Sequence, residues 1–496
     1  MAFYVYDLTF LVLFSLGVLI FLWKRKKNLK REGIMYLYRT QVGVKFIDYI
    51  GEKYKKTLTV FSYLAVICGY ALMGLMVYFL YTLLKLYLFN PDIVRAIKIP
   101  PLMPLIPYLP SIFKVSFLPP FYFTYWILAI AVIAIFHEFA HGIIAKRYGV
   151  RIKTTGFGFL GPFLAAFVEP DENQMQKKPK FQQISILSAG VFTNLILAVL
   201  FFLILAGFFV LAYQPGGAIF NVYATGPVVI SSISMLGGQE ITNPSNQGLI
   251  DLIEENNLTD DLSLGVNGNT LQLTKIQVNN KDYFMSIETL KQQLEQDTDY
   301  IILYEDLPAI NQGLGKISEN RLNGIIIEIN NQKITSHEDV SNILSTFSPG
   351  DKITLATRDD EGVKDYEFEL GESPTQAGKA MLGIGFIGSE RGTILGRIFS
   401  LFTFFKEQST HYEPRYNTDL IIFIYNLIWW LAIINFSVAL VNMWPVAIFD
   451  GGRMFMLTVW GITGSEKFAM FSFKLITYLI LGALALLMFG WFAAIF

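Results

Sequence analysis

Six stretches of the chain stay apolar for about 20 residues or more, the length needed to cross roughly 30 Å of hydrocarbon as a helix. They run from about Tyr4 to Trp23, Leu58 to Phe89, Phe121 to about Ala145, about Ile184 to Tyr213, Leu420 to Trp444, and Phe468 to Phe496. Each predicts a transmembrane helix. The basic cluster beside the first run follows it, and no small-residue cleavage site comes after, so that run reads as an anchored helix and not a removed leader. Three stretches break the pattern. The prolines from Pro100 to Pro120 make the loop before the third run stiff and non-helical. Gly156 to Val168 (GFGFLGPFLAAFV) is apolar, too short to cross and broken by glycine and proline, which predicts a short re-entrant hairpin. Thr393 to Lys406 reads as an interfacial helix.

Between the fourth and fifth runs, from about Gly216 to Arg391, the pattern shifts to short β-rich segments with Asn, Gly, Asp and Glu. Ile276–Leu303 and Ile327–Leu355 repeat one another: a strand, an Asn-Asn turn, an acidic helix start and a second strand. The second copy follows Asp306-Leu307-Pro308-Ala309 and Gly313-Leu314 and ends with alternating Tyr366, Phe368 and Leu370. In this it resembles bacterial-type PDZ domains. Two PDZ-like units in tandem are expected; one PDZ domain with a β-rich insertion is the other reading. Such a groove takes an extended peptide or the C-terminus of a polypeptide by strand addition, which implies gating or docking and no chemistry.

The fold class expected is a polytopic α-helical membrane protein with a re-entrant hairpin and an inserted extracytoplasmic α+β region. Its divisions are 1–57 (first helix and a basic segment), 58–215 (membrane core), 216–299 and 300–391 (the two PDZ-like units), 392–419 (interfacial linker) and 420–496 (last two spans). Lys24 to Arg31 with Lys53 to Lys56, and Lys146 to Lys153 with Lys177 to Lys180, flank the spans on one side. Basic loops stay cytoplasmic, so the N-terminus and the PDZ-like region are expected outside the cell membrane.

Composition agrees: 53% of residues are hydrophobic and 16% charged, against about a quarter charged in soluble domains. A net charge of −1 provides no basic field for nucleic acid. One cysteine, Cys68, and four histidines exclude an intrachain disulfide, a Cys-based zinc finger and an iron–sulfur cluster.

Two of those histidines fall in His137-Glu138-Phe139-Ala140-His141. Positions i and i+4 share a helix face, so both imidazoles can reach one ion, with Glu138 beside them to shuttle a proton. The bland reading, polar residues satisfied inside a helix bundle, is weakened by their place in an apolar span, where each ionisable group is costly unless paired or wetted. A catalytic zinc takes three protein ligands and keeps one open position. His137 lies roughly 24 Å below the outer end of its span, toward the cytoplasmic side, at 1.5 Å per residue. The fifth span runs the same way and ends in Asn442-Met443-Trp444-Pro445 and Asp450-Gly451-Gly452. Asp450 is thus the expected third ligand; an ordinary Asp-Gly turn is its plain alternative. His337 and His411 fall outside the membrane segments.

HEFAH, the later NMWPVAIFDGG and the intervening AGVFTN (Ala189–Asn194) together resemble the site-2 proteases, intramembrane zinc metalloproteases, and most closely their archaeal members. The stretches Ala166–Glu172 and Gly33–Asp48 add to the likeness. The resemblance implies one Zn2+ held by His137, His141 and Asp450, with Glu138 as general base and acid. It implies that Asn442 polarises the scissile carbonyl or orients the substrate backbone. Asn194 falls in the family's Gly-x-x-x-Asn segment, where a substrate role and a helix–helix hydrogen bond beside Gly190 are both open. The hairpin carrying Gly156 and Gly158 would add a strand to an unwound substrate. Met443, Trp444 and Phe449 are bulkier than is usual there and should alter packing, not ligation. The implied partners are single-span membrane protein substrates in the lipid bilayer, and a peptide or C-terminus at a PDZ-like groove. The alternatives are a CaaX prenyl protease, which uses a downstream glutamate, and a catalytically inactive PDZ-bearing scaffold.

Overall fold

A computed structural model of the protein describes residues 2–33, 35–90, 100–101, 103–113, 115, 118–160, 163–264, 271–296, 298–314, 316–318, 321–359, 362–386, 404–407 and 409–495. The longer elements in sequence order begin with α1 (Ala2–Lys24), β1 (Leu29–Glu32), β2 (Met35–Thr40), α2 (Val44–Lys53), α3 (Lys55–Phe89) and α4 (Phe123–Arg147). Next come β3 (Ile152–Leu160), β4 (Phe163–Pro170), α5 (Lys180–Ala212), β5 (Tyr213–Phe220), β6 (Thr225–Val229), β7 (Ile233–Leu236), β8 (Gln239–Glu240) and α6 (Asn246–Glu255). They continue with β9 (Leu271–Val278), β10 (Lys281–Met285), α7 (Ile287–Leu294), β11 (Tyr300–Glu305), β12 (Arg321–Ile329), α8 (His337–Leu344), β13 (Lys352–Asp359) and β14 (Gly362–Glu369). The last are β15 (Thr410–Pro414), α9 (Thr418–Val441), α10 (Asp450–Thr463) and α11 (Glu466–Ile495). The protein divides into two compact units, 1–208 with 419–496, and 209–418.

The first unit holds the membrane helices. Among the described residues, six helices (α1, α3, α4, α5, α9 and α11) are long and apolar enough to cross a bilayer, as the hydropathy pattern predicts. The protein is a polytopic membrane protein with an inserted sheet-rich region. An acidic residue inside the first apolar run explains how α1 is held. Asp7 is fully buried and accepts hydrogen bonds from the backbone N–H groups of Phe123 and Thr124, both at 2.8 Å, and from the Tyr108 hydroxyl. It therefore caps the N-terminus of α4 from a different helix, meeting donors that a helix start leaves unpaired. The proline-rich loop departs from the expectation in one place: Leu109–Ile112 forms a single helical turn with Pro110 in it, a position that needs no N–H from proline.

The hairpin expected over 156–168 is present as β3 and β4, but it is not isolated. β1 and β2 extend it to a four-stranded antiparallel sheet in the order β1-β2-β3-β4. Leu29–Glu32 is mostly charged and carries no alternating apolar pattern to mark a strand; beside its backbone pairing, Glu32 accepts from Arg39 of β2 at 2.7 Å. α2, β3 and β4 pack with the C-terminal half of α4 in one core that includes Ile47, Ile144, Ile152, Val168, Ala189, Met443 and Met454. That core draws residues from both halves of the membrane sequence to one place.

In the second unit two sheets follow the repeated pattern. The first runs β6-β11-β10-β9-β7-β8 and the second β14-β13-β12-β5-β15. Both predicted Asn-Asn turns are observed, with Asn279, Asn280, Asn330 and Asn331 all at positive φ, the conformation of a tight two-residue hairpin. α6 and α7 bury Leu249, Ile253, Leu290 and Leu294 against the first sheet; α8 buries Val340 against the second, beside Ala218 and Phe220.

The expected boundary between 216–299 and 300–391 does not match the sheets. β5 precedes every strand of the first sheet yet belongs to the second, and β11 belongs to the first. The first sheet is thus inserted between β5 and β12, a nesting that local pattern cannot reveal because strand pairing ignores sequence distance. Most of the interfacial helix expected at 393–406 lies outside the described residues.

Candidate metal centre

Successive turns of α4 place the imidazoles of His137 and His141 on one face with their Nε2 atoms 3.0 Å apart. Asp450 Oδ2 lies 3.4 Å from His137 Nε2 and 3.5 Å from His141 Nε2. Four ligands at zinc bond lengths of 2.0–2.1 Å in a tetrahedron sit about 3.3 Å from each other, so these spacings are those of three corners around a Zn2+. Among the described residues this is the one group of three such donors that could hold a metal ion.

The outer nitrogens of both rings are consistent with that use. His141 Nδ1 is 2.6 Å from the Ile186 carbonyl oxygen; a carbonyl only accepts, so Nδ1 carries the hydrogen and Nε2 offers its lone pair. His137 Nδ1 is 3.0 Å from the Asn194 carboxamide. With Nε2 toward an ion, Nδ1–H must donate, and Asn194 must present Oδ1 to it. The opposite assignment leaves Asn194 Oδ1 buried with no partner, so the amide is read flipped. Asn194 is therefore fully buried behind a ligand ring, nearer to the helix–helix role than to substrate.

Gly190, one turn before Asn194 on α5, went unassigned in the sequence. A Cβ there would fall 2.5 Å from His141 Nε2 and 2.7 Å from His137 Nε2. The helix leaves open the space in front of the lone pairs that an ion and its open position require. The signal was legible in AGVFTN as a small residue sharing a face with a polar one.

Asp450 reaches the imidazoles because the segment after α9 folds tightly on itself. Gly451 N–H donates to the Asn442 carbonyl oxygen at 2.7 Å, and Gly452 N–H to that of Phe449 at 3.1 Å. A Cβ at Gly451 would lie 2.4 Å from the Met443 carbonyl oxygen, and one at Gly452 2.2 Å from that of Val446. No other residue fits either position without moving the turn. Asp450 then opens α10, where the helix dipole favours a negative charge. The Asn442 carboxamide makes no hydrogen bond to a described residue.

Glu138 stands beside the ligand set and outside it. Its Oε2 accepts from the Val168 N–H of β4 at 3.1 Å. Gly156 and Gly158 are elsewhere. Both lie on β3, which is paired with β2 and β4 on its two edges, so neither can add a strand to anything. The sheet's open edge on this side is β4. His337 and His411 belong to the other unit.

The model of Peptidase family M50 matches residues 125–349 and 397–488, more than half of the sequence. The chain belongs to peptidase family M50. Site-2 proteases are of this family, so the resemblance carried by HEFAH and NMWPVAIFDGG is correct. The match takes in His137, Glu138, His141, Asn194, Asn442 and Asp450. M50 members are zinc-dependent metalloproteases, and this M50 protein is a membrane-embedded one. No curated protein matches its sequence.

Proposed function

We propose that this M50 protein hydrolyses peptide bonds in or near the transmembrane segments of single-span membrane proteins. The observation that carries the reading is the convergence of His137 and His141 from α4 and Asp450 from α10 at zinc-ligand spacing. Bound there, Zn2+ supplies Lewis acidity, polarising the scissile carbonyl and making water a better nucleophile. The protein's own residues do the rest. Glu138, held by the Val168 N–H, takes a proton from the attacking water and returns it to the leaving amine. Asn442, with its carboxamide free of described partners, orients the substrate backbone.

The substrate must unwind, since helical amides are already hydrogen-bonded. β4 supports that step better than the glycines of β3. Val168 N–H points away from β3, and alternation along a strand directs the N–H groups of Ala166 and Leu164 to the same open edge. An unwound segment paired there is led toward Glu138. The basic clusters support a topology with the N-terminus and the 209–418 unit outside and the site toward the cytoplasm. The outer sheets, read as PDZ-like, gate or dock substrates.

Purified protein should contain about one zinc per molecule and cut a single-span model substrate. Glu138→Gln should keep the zinc and lose cleavage by about 10²–10⁴-fold; proteolysis retained in that variant rejects the role. Ala166→Pro, which removes one edge donor at a position where an edge strand accepts proline, should raise KM with zinc content unchanged.

A further inference from the structure

The two outer sheets differ in how their strand-addition edges are closed. In the first, the edge of β7 is covered by β8, its own hairpin partner (Leu236↔Gln239), across Gly237-Gly238. That contact is local. In the second, the edge of β5 is covered by β15, which arrives from the far end of the unit, with Thr410 opposite Ala218 and His411 opposite Gly217. α8 packs beside this strand, with Val340 in the same core as Ala218 and Phe220, so strand and helix lie side by side as they do where an extended peptide adds to a sheet.

β15 is held firmly at some points and poorly at others. Ile219 N–H donates to the Ser409 carbonyl oxygen at 2.7 Å, Arg358 pairs with Glu413, and the Tyr412 ring lies 4.8 Å from that of Phe209. Against this, the register slips between His411 and Tyr412, and Tyr412 faces Pro215, which has no N–H to give. Ser409 takes a left-handed backbone at φ 56. The Thr410 hydroxyl is buried without a partner among the described residues.

We propose that Thr410–Pro414 is an exchangeable internal occupant of the β5 edge, and that its competitor is an extended polypeptide tail. The tail that fits runs antiparallel to β5, places an aliphatic side chain in the Thr410 seat and sets an acidic residue against Arg358. The proposal deepens the docking role given above and does not depend on the hydrolytic one.

The test is binding of a fluorescein-labelled peptide of residues 407–416 carrying Thr410→Val, measured on full-length protein in a Glu138→Gln, Cys68→Ser background. A tethered competitor acts at an effective concentration on the order of mM, so this background protein should bind weakly. Releasing β15 with Tyr412→Ala and Glu413→Ala should tighten binding at least tenfold, since apparent affinity scales with the competent fraction. The unmodified peptide should bind more weakly than the Val version, because it buries an unpaired hydroxyl. Ala218 and Thr410 form a non-hydrogen-bonded pair, whose Cα separation of about 4.5 Å suits a disulfide. Ala218→Cys with Thr410→Cys should abolish binding when oxidised and restore the background level when reduced. Equal affinity of the released and background proteins, or binding by the oxidised lock, overturns the proposal. The released-versus-background comparison stands alone if the lock does not fold.

Discussion

At Gly190 an added methyl group would occupy the space in front of both imidazole lone pairs. Alanine is the better helix former, so Gly190→Ala should leave α5 helical by circular dichroism while zinc occupancy falls at least tenfold; a fully loaded variant would show that the ion sits elsewhere. Asn194 is tested by a pair of variants. Asn194→Ala should weaken zinc binding about 10–100-fold, the usual effect of losing an outer partner of a metal-bound histidine. Asn194→Asp, which keeps an acceptor for His137 Nδ1–H, should hold zinc far better, and an effect on KM alone would restore the substrate role. His137, Glu138, His141 and Asp450 were legible because ionisable residues are rare in apolar runs and their spacing is chemical. For Gly190 only its small size beside Asn194 was legible, since a glycine has no side chain to mark what it makes room for.

Among elements, the six membrane helices were legible almost to their ends because an apolar run is a local property, whereas α10, which carries Asp450, was not. Asp7 carried a signal of the same kind, a carboxylate inside such a run, but its use as the cap of α4 depends on Phe123 and Thr124, more than a hundred residues on. Asp7→Ala should destabilise the membrane unit by about 0.5–2 kcal/mol, the range for a lost cap, read as a lower thermal midpoint. In the 209–418 unit α8 starts with a capping box between Ser336 and Asp339. The Thr335 hydroxyl, with the N–H groups of Thr335 and Ser336, holds Asp339 below the usual carboxylate range against the opposing effect of burial. A depressed carboxylate stabilises the fold above its unfolded pKa, near 4, and loses that contribution as pH falls through the folded value. The thermal midpoint of the wild type should therefore drop more steeply on acidification below about pH 4 than that of Asp339→Asn; parallel curves would discount the cap.

For the molecule as a whole, the two units have separate cores and should respond separately to loss of metal. Chelation should raise hydrogen exchange around Ile186–Asn194 and Asn442–Gly452 and leave the sheets of 209–418 as protected as before. Equal loosening of both units would mean that the site stabilises more than its own surroundings. The amino-acid order by itself determined the six spans, the repeated Asn-Asn hairpins and the donor types, because each follows from the side chains of a short stretch: apolar length, turn conformation, lone pairs. Only the tertiary structure decided that β1 and β2 complete the sheet beside Glu138, that β4 and not β3 has the open edge, that one sheet is nested within the other, and that β15 lies on β5. These depend on which backbone amides meet across long loops, and a backbone amide is the same at every residue but proline, so nothing in the one-dimensional pattern distinguishes the partners.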